Sequence, residues 1–370
     1  MTPMHVLICG GGVIGCSIAY FLGRRGVKAT VIEGTGVACA ASGKSGGFLA
    51  RDWCDGSPLN ALARRSFDLH AQMAEEAPGE WGYRRLDTYG GFASQQGSSR
   101  RFRSAYDLDW FAADVTMSQA LGSPETTAQV HPGEFTRAMM RAAEAQGAAL
   151  RQGRVTGIVR NGGRATGVEV DGEIIAGDVV VIALGPWSIL AARWLPLPPV
   201  FGLKGHSLVF ETGTRVPAEA VFLEYQEKSG TVLTPELFPR DDGTTYVCGI
   251  SSEEALPVDP ARITPDPVAI ARLEAMCAGL SPVLGLATIL ARQACYRPVT
   301  RDGLPLIGAV PGVAGAYVAT GHSVWGILNA PATGEAMTEL IVDGAASTVD
   351  LAPFDPGRLP PLDPKRLLMS

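Results

Sequence analysis

The first forty residues alternate between apolar runs and turns. Residues 5–9 (HVLIC) form a short apolar run that is typical of a buried parallel strand, and GGGVIG follows at once. Apolar residues then return at helical spacing over residues 13–25, and Gly26 ends this predicted helix. Residues 29–32 predict a second strand, which Glu33 closes. The pattern therefore predicts a strand-turn-helix-strand unit within about thirty residues.

Helical and strand patterns continue along the rest of the chain. Helices are predicted at residues 57–77, 134–146, 268–290 and from the turn at 321–326 to about 342. Strands are predicted at residues 155–159, 165–170, 173–176, 178–185 and 316–320, and alternating patterns dominate residues 202–250. The small residues at 38–50 predict a loop, and the Pro-rich residues from 352 onward predict an extended tail.

Composition excludes several classes of protein. The 370 residues include 31 Lys and Arg against 37 Asp and Glu, a net charge of −6, so no basic face for nucleic acid is expected. With 46% hydrophobic and 18% charged residues, the chain is too apolar to be disordered and too often charged for a membrane bundle. The apolar run 6–22 has four glycines near its start, which suit a tight turn better than a membrane span.

Cysteine and histidine positions predict neither disulfides nor a bound metal. The seven cysteines are an odd number, widely spaced and without a CxxC pair, which is typical of a reducing compartment. The five histidines never approach the spacing of metal ligands. The N-terminus lacks the basic segment of a signal peptide, so a cytoplasmic location is expected.

The glycine-rich turn after the first strand carries a clear chemical signal. Gly10, Gly12 and Gly15 form GxGxxG between an apolar strand and a helix. Glycines so placed permit a tight turn, close approach of the backbone to a pyrophosphate and close packing of helix on strand. The helix N-terminus attracts phosphate, and Glu33 would accept hydrogen bonds from adenosine ribose hydroxyls and disfavour a 2′-phosphate. A dinucleotide other than NADP is expected.

The order of later segments distinguishes FAD from NAD. A simple nicotinamide dehydrogenase would continue with strand-helix units after Glu33, whereas this chain enters a β-rich insertion. It returns at DVVVIALGPWS (178–188) and at GAYVATGHSVWGI (315–327), which are both apolar strands that end in glycine. Two such returns would bring backbone groups to one elongated ligand, so FAD is the predicted cofactor.

Six motifs in order along the chain resemble the FAD-dependent oxidoreductases of the D-amino-acid oxidase, glycine oxidase and sarcosine oxidase superfamily. They are CGGGVIG with Glu33, AASGKSGGFLA (40–50), VTGI (155–158), IALGPWS (182–188), YRPVTRDGLPLIG (296–308) and ATGHSVWGILNAPATG (319–334). The last two are the most specific. The resemblance implies an α/β fold, in which a Rossmann-type FAD-binding domain of the glutathione-reductase kind carries a β-rich substrate domain.

The predicted domains are discontinuous in the chain. We assign residues 1–80, 130–200 and 296–345 to the FAD-binding domain and residues 81–129 and 201–295 to the substrate domain. Residues 346–370 are assigned to an extended C-terminal tail.

The resemblance also implies which residues bind FAD. Val155 would contact the adenine through its backbone, Ser42 and residues 47–49 the flavin side, and Gly185 the middle of the cofactor. The pyrimidine edge of the ring would be contacted by Gly321, His322, Gly326 and Ile327. The full predicted set is Gly10, Gly12, Val13, Ile14, Gly15, Glu33, Ser42, Gly47, Phe48, Leu49, Val155, Gly185, Gly321, Gly326 and Ile327.

Two residues are predicted to be catalytic. Arg297 matches the family arginine that grips a substrate carboxylate, and a guanidinium in an apolar strand suits a bidentate carboxylate. The alternative for Arg297 is a structural salt bridge or contact with solvent. His322 lies in the turn that would face flavin O2, and a contribution through its backbone alone is the alternative.

Two positions bear on the branch of the superfamily. Cys295 lies seven residues before Asp302, the spacing at which sarcosine-oxidase relatives carry a cysteine bound covalently to flavin. Most members have no such bond, so FAD is expected to be non-covalent, with a link at Cys295 as the alternative. Asp302 is expected to serve the turn before Gly303. Glu236 stands where a glycine-oxidase pocket would carry an aromatic residue, so the substrate is not assigned.

The resemblance implies oxidation of the C–N bond of an amino acid or N-alkyl amino acid. Hydride would pass from the carbon that bears the amine to flavin N5, giving an imine that water hydrolyses, and oxygen or another acceptor would take the electrons. One alternative is an FAD-dependent 2-hydroxy-acid dehydrogenase, for which His206 is a candidate base. Another is a flavin-binding trafficking or assembly factor.

Overall fold

The computed structural model describes residues 4–77, 79–96 and 104–368. Its strands are β1 (His5–Cys9), β2 (Lys28–Glu33), β3 (Phe48–Ala50), β4 (Arg84–Arg85), β5 (Asp87–Ser94), β6 (Thr116–Gly122), β7 (Thr127–Gln129), β8 (Ala149–Gln152), β9 (Val155–Asn161), β10 (Arg164–Val170), β11 (Glu173–Ala176), β12 (Val179–Ile182), β13 (Phe201–Glu211), β14 (Glu219–Gln226), β15 (Val232–Leu233), β16 (Glu236–Pro239), β17 (Thr244–Ser252), β18 (Thr288–Val299), β19 (Leu306–Ala309) and β20 (Ala316–Thr320). Its helices are α1 (Val13–Arg24), α2 (Ala41–Lys44), α3 (Asn60–Glu76), α4 (Pro132–Ala145), α5 (Ser188–Ala191), α6 (Pro267–Leu280), α7 (Pro282–Leu286) and α8 (Gly326–Val342).

A six-stranded sheet has the order β19-β20-β12-β1-β2-β8. All its neighbours pair in parallel except β19 with β20, which is antiparallel. The central strand β1 is therefore flanked by β2, which follows it through α1, and by β12, to which the chain returns much later. This arrangement is the Rossmann-type sheet that the sequence predicts.

The sheet is covered on both faces, which explains why β1 is apolar throughout. Val6 and Ile8 point into a core that they share with α1, α3, α4 and α8. Leu7 and Cys9 point to the other face, where they pack with residues of β10. Strand β10 belongs to the small antiparallel sheet β11-β10-β9. Because the strand is buried on both sides, polar residues do not alternate with apolar ones.

A second large sheet has eight strands in the order β18-β13-β17-β16-β14-β5-β6, with β15 paired to β14. One face packs on α6 through residues such as Leu208, Val247 and Leu273. The other face carries Phe222, Phe238 and further side chains that point toward the six-stranded sheet. Alternate residues of each strand serve the two faces, as the pleat of a β-strand requires.

Most predicted elements are present, and two segments differ from the prediction: one helix is shorter, and one loop contains short elements. The β1-α1-β2 unit, the meander β9–β11 and strand β20 lie where the sequence predicts them. The helix predicted at residues 268–290 ends earlier, because Ser281 caps a new helix, α7, and residues 288–290 already belong to β18. The predicted loop 38–50 contains the short elements α2 and β3.

The C-terminal segment is not an extended tail. Residues 352–354, 356–358 and 364–368 form short 3-10 turns, and Phe354 is fully buried in the main core. Arg358 also pairs with Asp302 at 2.7 Å, so the carboxylate that serves the turn before Gly303 also holds the tail. The extended prediction is wrong because apolar and charged anchors dock this segment. The domain boundaries stay a prediction, and β18 runs across the one at 295/296.

Three further findings concern the described residues. All seven cysteines are free thiols. No described group of three or more His, Cys, Asp or Glu residues could hold a metal ion. Among these residues no helix is both long and apolar enough to cross a membrane.

Candidate active site

A cavity of about 520 Å³ lies between the two large sheets. On one side it is lined by turns at the carboxyl ends of the parallel strands, the edge at which open parallel sheets bind ligands. We call these lining residues the glycine wall: 10–14, 33–36, 38–42, 45–48, 183–187 and 319–327. The opposite lining is one face of the eight-stranded sheet. We call it the sheet wall: Gly205, His206, Phe222, Glu236, Phe238, Tyr246, Cys248, Cys295 and Arg297.

Two glycines of the GxGxxG turn are needed for different reasons. A Cβ atom on Gly15 would lie 2.0 Å from the carbonyl oxygen of Gly10, so α1 can start this close to β1 only with glycine. A Cβ on Gly12 would meet the protein only at Ser42 Oγ, 3.2 Å away, and Gly12 faces the cavity. Space above Gly12 is therefore open to a ligand that approaches the backbone at the positive end of α1.

Glu33 ties the glycine turn to the end of β2. Its Oε2 accepts a hydrogen bond from the N–H of Gly11 at 2.8 Å, and its Oε1 accepts from Thr35 at 2.7 Å and Gly36 at 3.1 Å. A carboxylate has about four acceptor sites, so capacity remains for a ligand hydroxyl on the cavity side.

The loop after β2 supplies the next part of the glycine wall. The N–H of Val13 donates to Ser42 Oγ at 2.9 Å, so Ser42 fixes the first turn of α1. Gly47 and Phe48 line the cavity, whereas Leu49 is fully buried in β3 and is not among the lining residues. Of the loop residues predicted to contact the cofactor, Ser42, Gly47 and Phe48 therefore line the cavity and Leu49 does not.

The turns after β12 and β20 meet at the cavity. Thr320 Oγ1 donates to the carbonyl oxygen of Gly185 at 2.9 Å, and Ser188 Oγ donates to Thr320 Oγ1 at 3.0 Å. The two returns of the chain that the sequence predicts are therefore joined beside β1. Gly185 and Gly321 both line the cavity, and both have positive φ angles of 55° and 80°.

His322 is buried at the start of the turn that leads into α8. Its Nε2 lies 3.1 Å from Thr333 Oγ1, whereas no described residue bonds its buried Nδ1. Burial lowers the pKa of His322 to about 3. The ring is therefore neutral at pH 7 and can place a polar nitrogen, but not a positive charge, at the glycine wall.

The sheet wall is a row of alternating side chains from adjacent strands. Glu236 lies opposite Cys248, and Phe238 lies opposite Tyr246, in the antiparallel pair of β16 and β17. Phe238 stacks on Phe48 of the glycine wall, with ring centres 5.3 Å apart. The two walls are thus in direct contact around an aromatic, water-excluding part of the cavity.

Arg297 points into the cavity from β18. Its Nη1 donates to Ser251 Oγ at 3.3 Å. Among the described residues no carboxylate lies within the 4.0 Å of a salt bridge, so the alternative of a structural ion pair is not observed. Burial lowers the pKa of Arg297, but the acidic groups around it, Cys248, Glu236, Tyr246 and Cys295, together hold this pKa above its usual value. The guanidinium is a permanent cation that faces the cavity.

Glu236 is a lining residue whose role sequence reasoning missed. The sequence marks it only as a departure from an aromatic pocket, because the register of β16 decides that it faces the cavity while Leu237 faces the core. Cys248 Sγ donates to Glu236 Oε2 at 3.5 Å. Burial raises the pKa of Glu236, and Arg297 and Cys248 partly oppose this shift.

Cys295 lines the cavity, and His206 lies beside it with its ring turned toward the start of α6, so neither is a reactive group. Burial raises the pKa of Cys295, with a smaller opposing effect of Arg297, so the thiol is protonated. His206 Nε2 accepts from the N–H of Asp266 at 3.2 Å, and its Nδ1 lies 3.4 Å from the carbonyl oxygen of Ile250. Both ring nitrogens of His206 are therefore engaged within the protein.

Most predicted site residues meet at this one cavity. Its lining includes Gly10, Gly12, Val13, Ile14, Glu33, Ser42, Gly47, Phe48, Val155, Gly185, Arg297, Gly321, His322, Gly326 and Ile327. Gly15 and Leu49 are not in the lining and act through packing.

The glycine wall has the features that a dinucleotide requires. It combines an open backbone turn, a helix N-terminus and a carboxylate along one edge of the sheet. Two buried polar atoms of this wall, Ser45 Oγ and His322 Nδ1, have no hydrogen-bond partner among the described residues. Since buried polar groups are normally satisfied, these atoms fit contacts to a polar ligand.

Comparisons with known proteins agree with this geometry. The family model described as DAO, FAD dependent oxidoreductase, matches residues 5–340. An oxidoreductase of Schizosaccharomyces pombe is 29% identical over 386 residues, which cover 95% of this chain and 97% of that protein. Glycine oxidase of Pseudomonas putida is 29% identical over 380 residues, 96% of this chain and 99% of that one. The crystal structure of glycine oxidase from Geobacillus kaustophilus has a TM-score of 0.81 at 25% identity, with coverage of 96% and 99%.

The family match extends over both large sheets and all segments of the glycine wall. It confirms the fold class, the cofactor and the enzymatic nature of the protein that the sequence predicts. The chain belongs to the DAO family of FAD-dependent oxidoreductases.

Proposed function

We propose that this enzyme oxidises the C–N bond of an amino acid or N-alkyl amino acid whose carboxylate is held by Arg297. The observation that carries the proposal is a guanidinium aimed into the cavity with no acidic partner within 4.0 Å among the described residues. Such a cation is best satisfied by a carboxylate, which can take two parallel hydrogen bonds.

FAD fits along the glycine wall in this proposal. The turn at residues 10–14 would hold the diphosphate, Glu33 a ribose and Val155 the adenine, and residues 45–48 and 321–327 would surround the ring. When bound there, FAD supplies the hydride acceptor for the oxidation. Cys295 is a protonated thiol, and the thiolate is the reactive form of cysteine, so we propose that FAD is held without a covalent bond.

The sheet wall orients the substrate and excludes water. Arg297 fixes the carboxylate end, while Phe48, Phe222 and Phe238 surround the space with rings whose centres lie 5.1–5.3 Å apart. A fixed carboxylate defines which hydrogen of the substrate faces the glycine wall. The imine product is hydrolysed by water, and oxygen is the proposed electron acceptor.

Oxidation of a 2-hydroxy acid is less well supported. That reaction removes the proton of a neutral hydroxyl group and calls for a base. His206 has both nitrogens engaged, and the pKa of His322, lowered to about 3 by burial, makes it a poor base near neutral pH. Neither histidine is therefore suited to be the base of a 2-hydroxy-acid dehydrogenase.

The test of the proposal is the variant Arg297→Ala. Loss of a charge-assisted contact of about 1.5–3 kcal/mol raises KM for amino acids roughly 10- to 100-fold, and does not raise KM for amines without a carboxylate. Bound flavin, followed by its visible absorption, stays at the wild-type level. Anaerobic bleaching with primary amino acids, N-methyl amino acids and 2-hydroxy acids identifies the substrate class.

The matched control is Arg292→Ala, because Arg292 lies on the same strand but pairs with Glu274 outside the cavity. Loss of flavin from the Arg297 variant alone would show that this arginine is structural. Bleaching by 2-hydroxy acids only would favour the dehydrogenase alternative, and no bleaching by any of these compounds would contradict the proposed substrate class. Acid precipitation that leaves the colour in the pellet would contradict non-covalent FAD.

A further inference from the structure

The sheet wall carries an acidic group as well as a basic one. Glu236 faces the cavity from β16, opposite Phe222 on one side and Cys248 on the other. It forms no salt bridge with Arg297 within 4.0 Å, although both line the cavity. A half-buried carboxylate whose single hydrogen bond among the described residues comes from a thiol is costly to desolvate, and the charge of Arg297 offsets only part of that cost. Its position therefore calls for a ligand that compensates its charge.

The other titratable groups around Glu236 do not supply that compensation. The pKa of Tyr246 and that of Cys248 are raised by burial, so the phenol and the thiol are neutral. Cys295 is a thiol and, because burial lowers its pKa, His206 is neutral at pH 7. The only hydrogen bond to the carboxylate that the described residues provide is the weak one from Cys248 Sγ, at 3.5 Å.

An amino acid zwitterion has the complementary charges. Its carboxylate and ammonium groups are attached to the same carbon, so they can reach an arginine and a glutamate that face one cavity without touching each other. A 2-hydroxy acid has only the negative group, and a dicarboxylic amine would bring a second negative charge toward Glu236. The separation of Arg297 and Glu236 thus favours a substrate with one carboxylate and one basic nitrogen.

We propose that Glu236 binds the ammonium group of the substrate and accepts its proton. This inference rests on the proposed function, because it requires the substrate carboxylate to be at Arg297. The transfer breaks one N–H bond and forms one O–H bond on the Glu236 carboxylate, with no change in oxidation state. The nitrogen retains the lone pair, and the amine is neutral when its C–N bond is oxidised.

A base at this position is consistent with the surroundings of the carboxyl group. Burial raises the pKa of Glu236, with Arg297 and Cys248 opposing the shift, so the group becomes a better proton acceptor than an exposed glutamate. The substrates assigned to the site are monocarboxylic amino acids with a primary or secondary amine.

The kinetic test compares Glu236→Gln with wild type across pH. Wild-type kcat/KM rises with pH until Glu236 is ionised and then stays level. Without the base, only substrate whose amine is already neutral reacts. The kcat/KM of E236Q is therefore expected to be roughly 100-fold or more below wild type at pH 7 and to rise about tenfold per pH unit. Glu236→Asp keeps a carboxylate and restores the level region. Glu224→Gln, the same change at an exposed position of β14, retains the wild-type profile.

Binding of two unreactive probes gives a readout that does not depend on turnover. The first, 2-aminoisobutyrate, is a zwitterion without the hydrogen that oxidation removes, and in trimethylacetate a methyl group replaces the ammonium. Calorimetry with the FAD-loaded wild type is expected to show at least about tenfold tighter binding of 2-aminoisobutyrate, and E236Q to remove most of that preference.

The outcomes separate this inference from the proposed function. If wild type binds both probes equally and E236Q keeps both the affinities and the pH profile, Glu236 has no role with the ammonium group while Arg297 still binds the carboxylate. If Arg297→Ala leaves both affinities unchanged, the proposed carboxylate site itself is wrong. The visible spectrum and melting temperature of E236Q establish that each comparison is made on folded, FAD-loaded protein.

Discussion

The glycine wall and the sheet wall face each other across one cavity, but they are built from different parts of the chain. The glycine wall presents backbone turns, such as the one at Gly12, at the ends of parallel strands. The sheet wall presents side chains, such as Glu236 and Arg297, on one face of an antiparallel sheet. Backbone turns can serve one cofactor in many enzymes, whereas side chains on a sheet can change without altering the fold. The glycine wall is therefore suited to a cofactor that many enzymes share, and the sheet wall is suited to selecting a particular substrate.

The largest effect is expected when a side chain is added to the glycine wall. In Gly15→Val, Cβ would lie 2.0 Å from the carbonyl oxygen of Gly10 and 3.2 Å from Ile8 Cγ2, and neither backbone nor core can move aside. We expect loss of bound flavin from the soluble protein, or loss of soluble protein itself. The ratio of visible to ultraviolet absorption of the purified protein measures its flavin content. Wild-type flavin content in this variant would contradict the close contact seen in the structure.

Acid is expected to destabilise the folded protein through two buried histidines behind the glycine wall. Burial lowers the pKa of His70 to about 4 and that of His322 to about 3, so the unfolded chain binds protons more readily than the folded one below pH 6.5. The stability of the folded protein is therefore free of this penalty above pH 6.5, and it decreases as pH falls below that value. At pH 4 the free energy of unfolding has lost about 3 kcal/mol for each histidine, in addition to effects of carboxyl groups.

Denaturant titration of the FAD-loaded enzyme at pH 7 and pH 4 measures this loss. His70 Nε2 lies 2.9 Å from the carbonyl oxygen of Ile327, and His70→Gln keeps a donor near it while removing the titration. The difference between the two pH values should shrink by about 3 kcal/mol in this variant. An unchanged difference would mean that His70 is protonated in the folded protein.

A smaller effect is expected where the two walls touch. In Gly46→Ala, Cβ would lie 2.2 Å from Phe238 Cδ2, and the ring of Phe238 is held between Phe48 and Tyr246. We expect Gly46→Ala to lower the free energy of unfolding. In the double variant, Phe238→Leu recovers part of this loss, with a coupling energy of about 0.5–3 kcal/mol. A double-mutant cycle of unfolding free energies measures the coupling. Additive effects would show that the loop and the ring move independently.

The smallest effect is expected away from both walls. Gly279 lies in α6, and apart from its chain neighbours and the backbone of its own helix no described atom lies within 4 Å of a Cβ added there. Gly279→Ala should raise the free energy of unfolding by about 0.5 kcal/mol and leave flavin content and KM unchanged. This variant is also the control for Gly15→Val, since it adds carbon to a glycine that contacts neither wall. A loss of flavin here would mean that α6 is coupled to the cavity.

Local patterns predict the glycine wall because each of its parts is a short continuous segment of the chain. An apolar strand, GxGxxG and a helix determine the first turn, and the returns near Gly185 and Gly321 carry the same strand-then-glycine pattern. Errors occurred where tertiary contacts override local preference. The tail from 352 is docked by Phe354, and the predicted helix 268–290 gives way to β18, which pairs with β13.

The sequence by itself determined the Rossmann-type unit, because turns and helix ends are specified by neighbouring residues, and its resemblance to a known family indicated FAD and the class of enzyme. Only the tertiary structure decided that Glu236 and Arg297 share one cavity. They come from β16 and β18, two strands that are distant in sequence and not adjacent in the sheet. Which face each residue occupies depends on strand register, and a shift by one residue would turn the carboxylate toward the core.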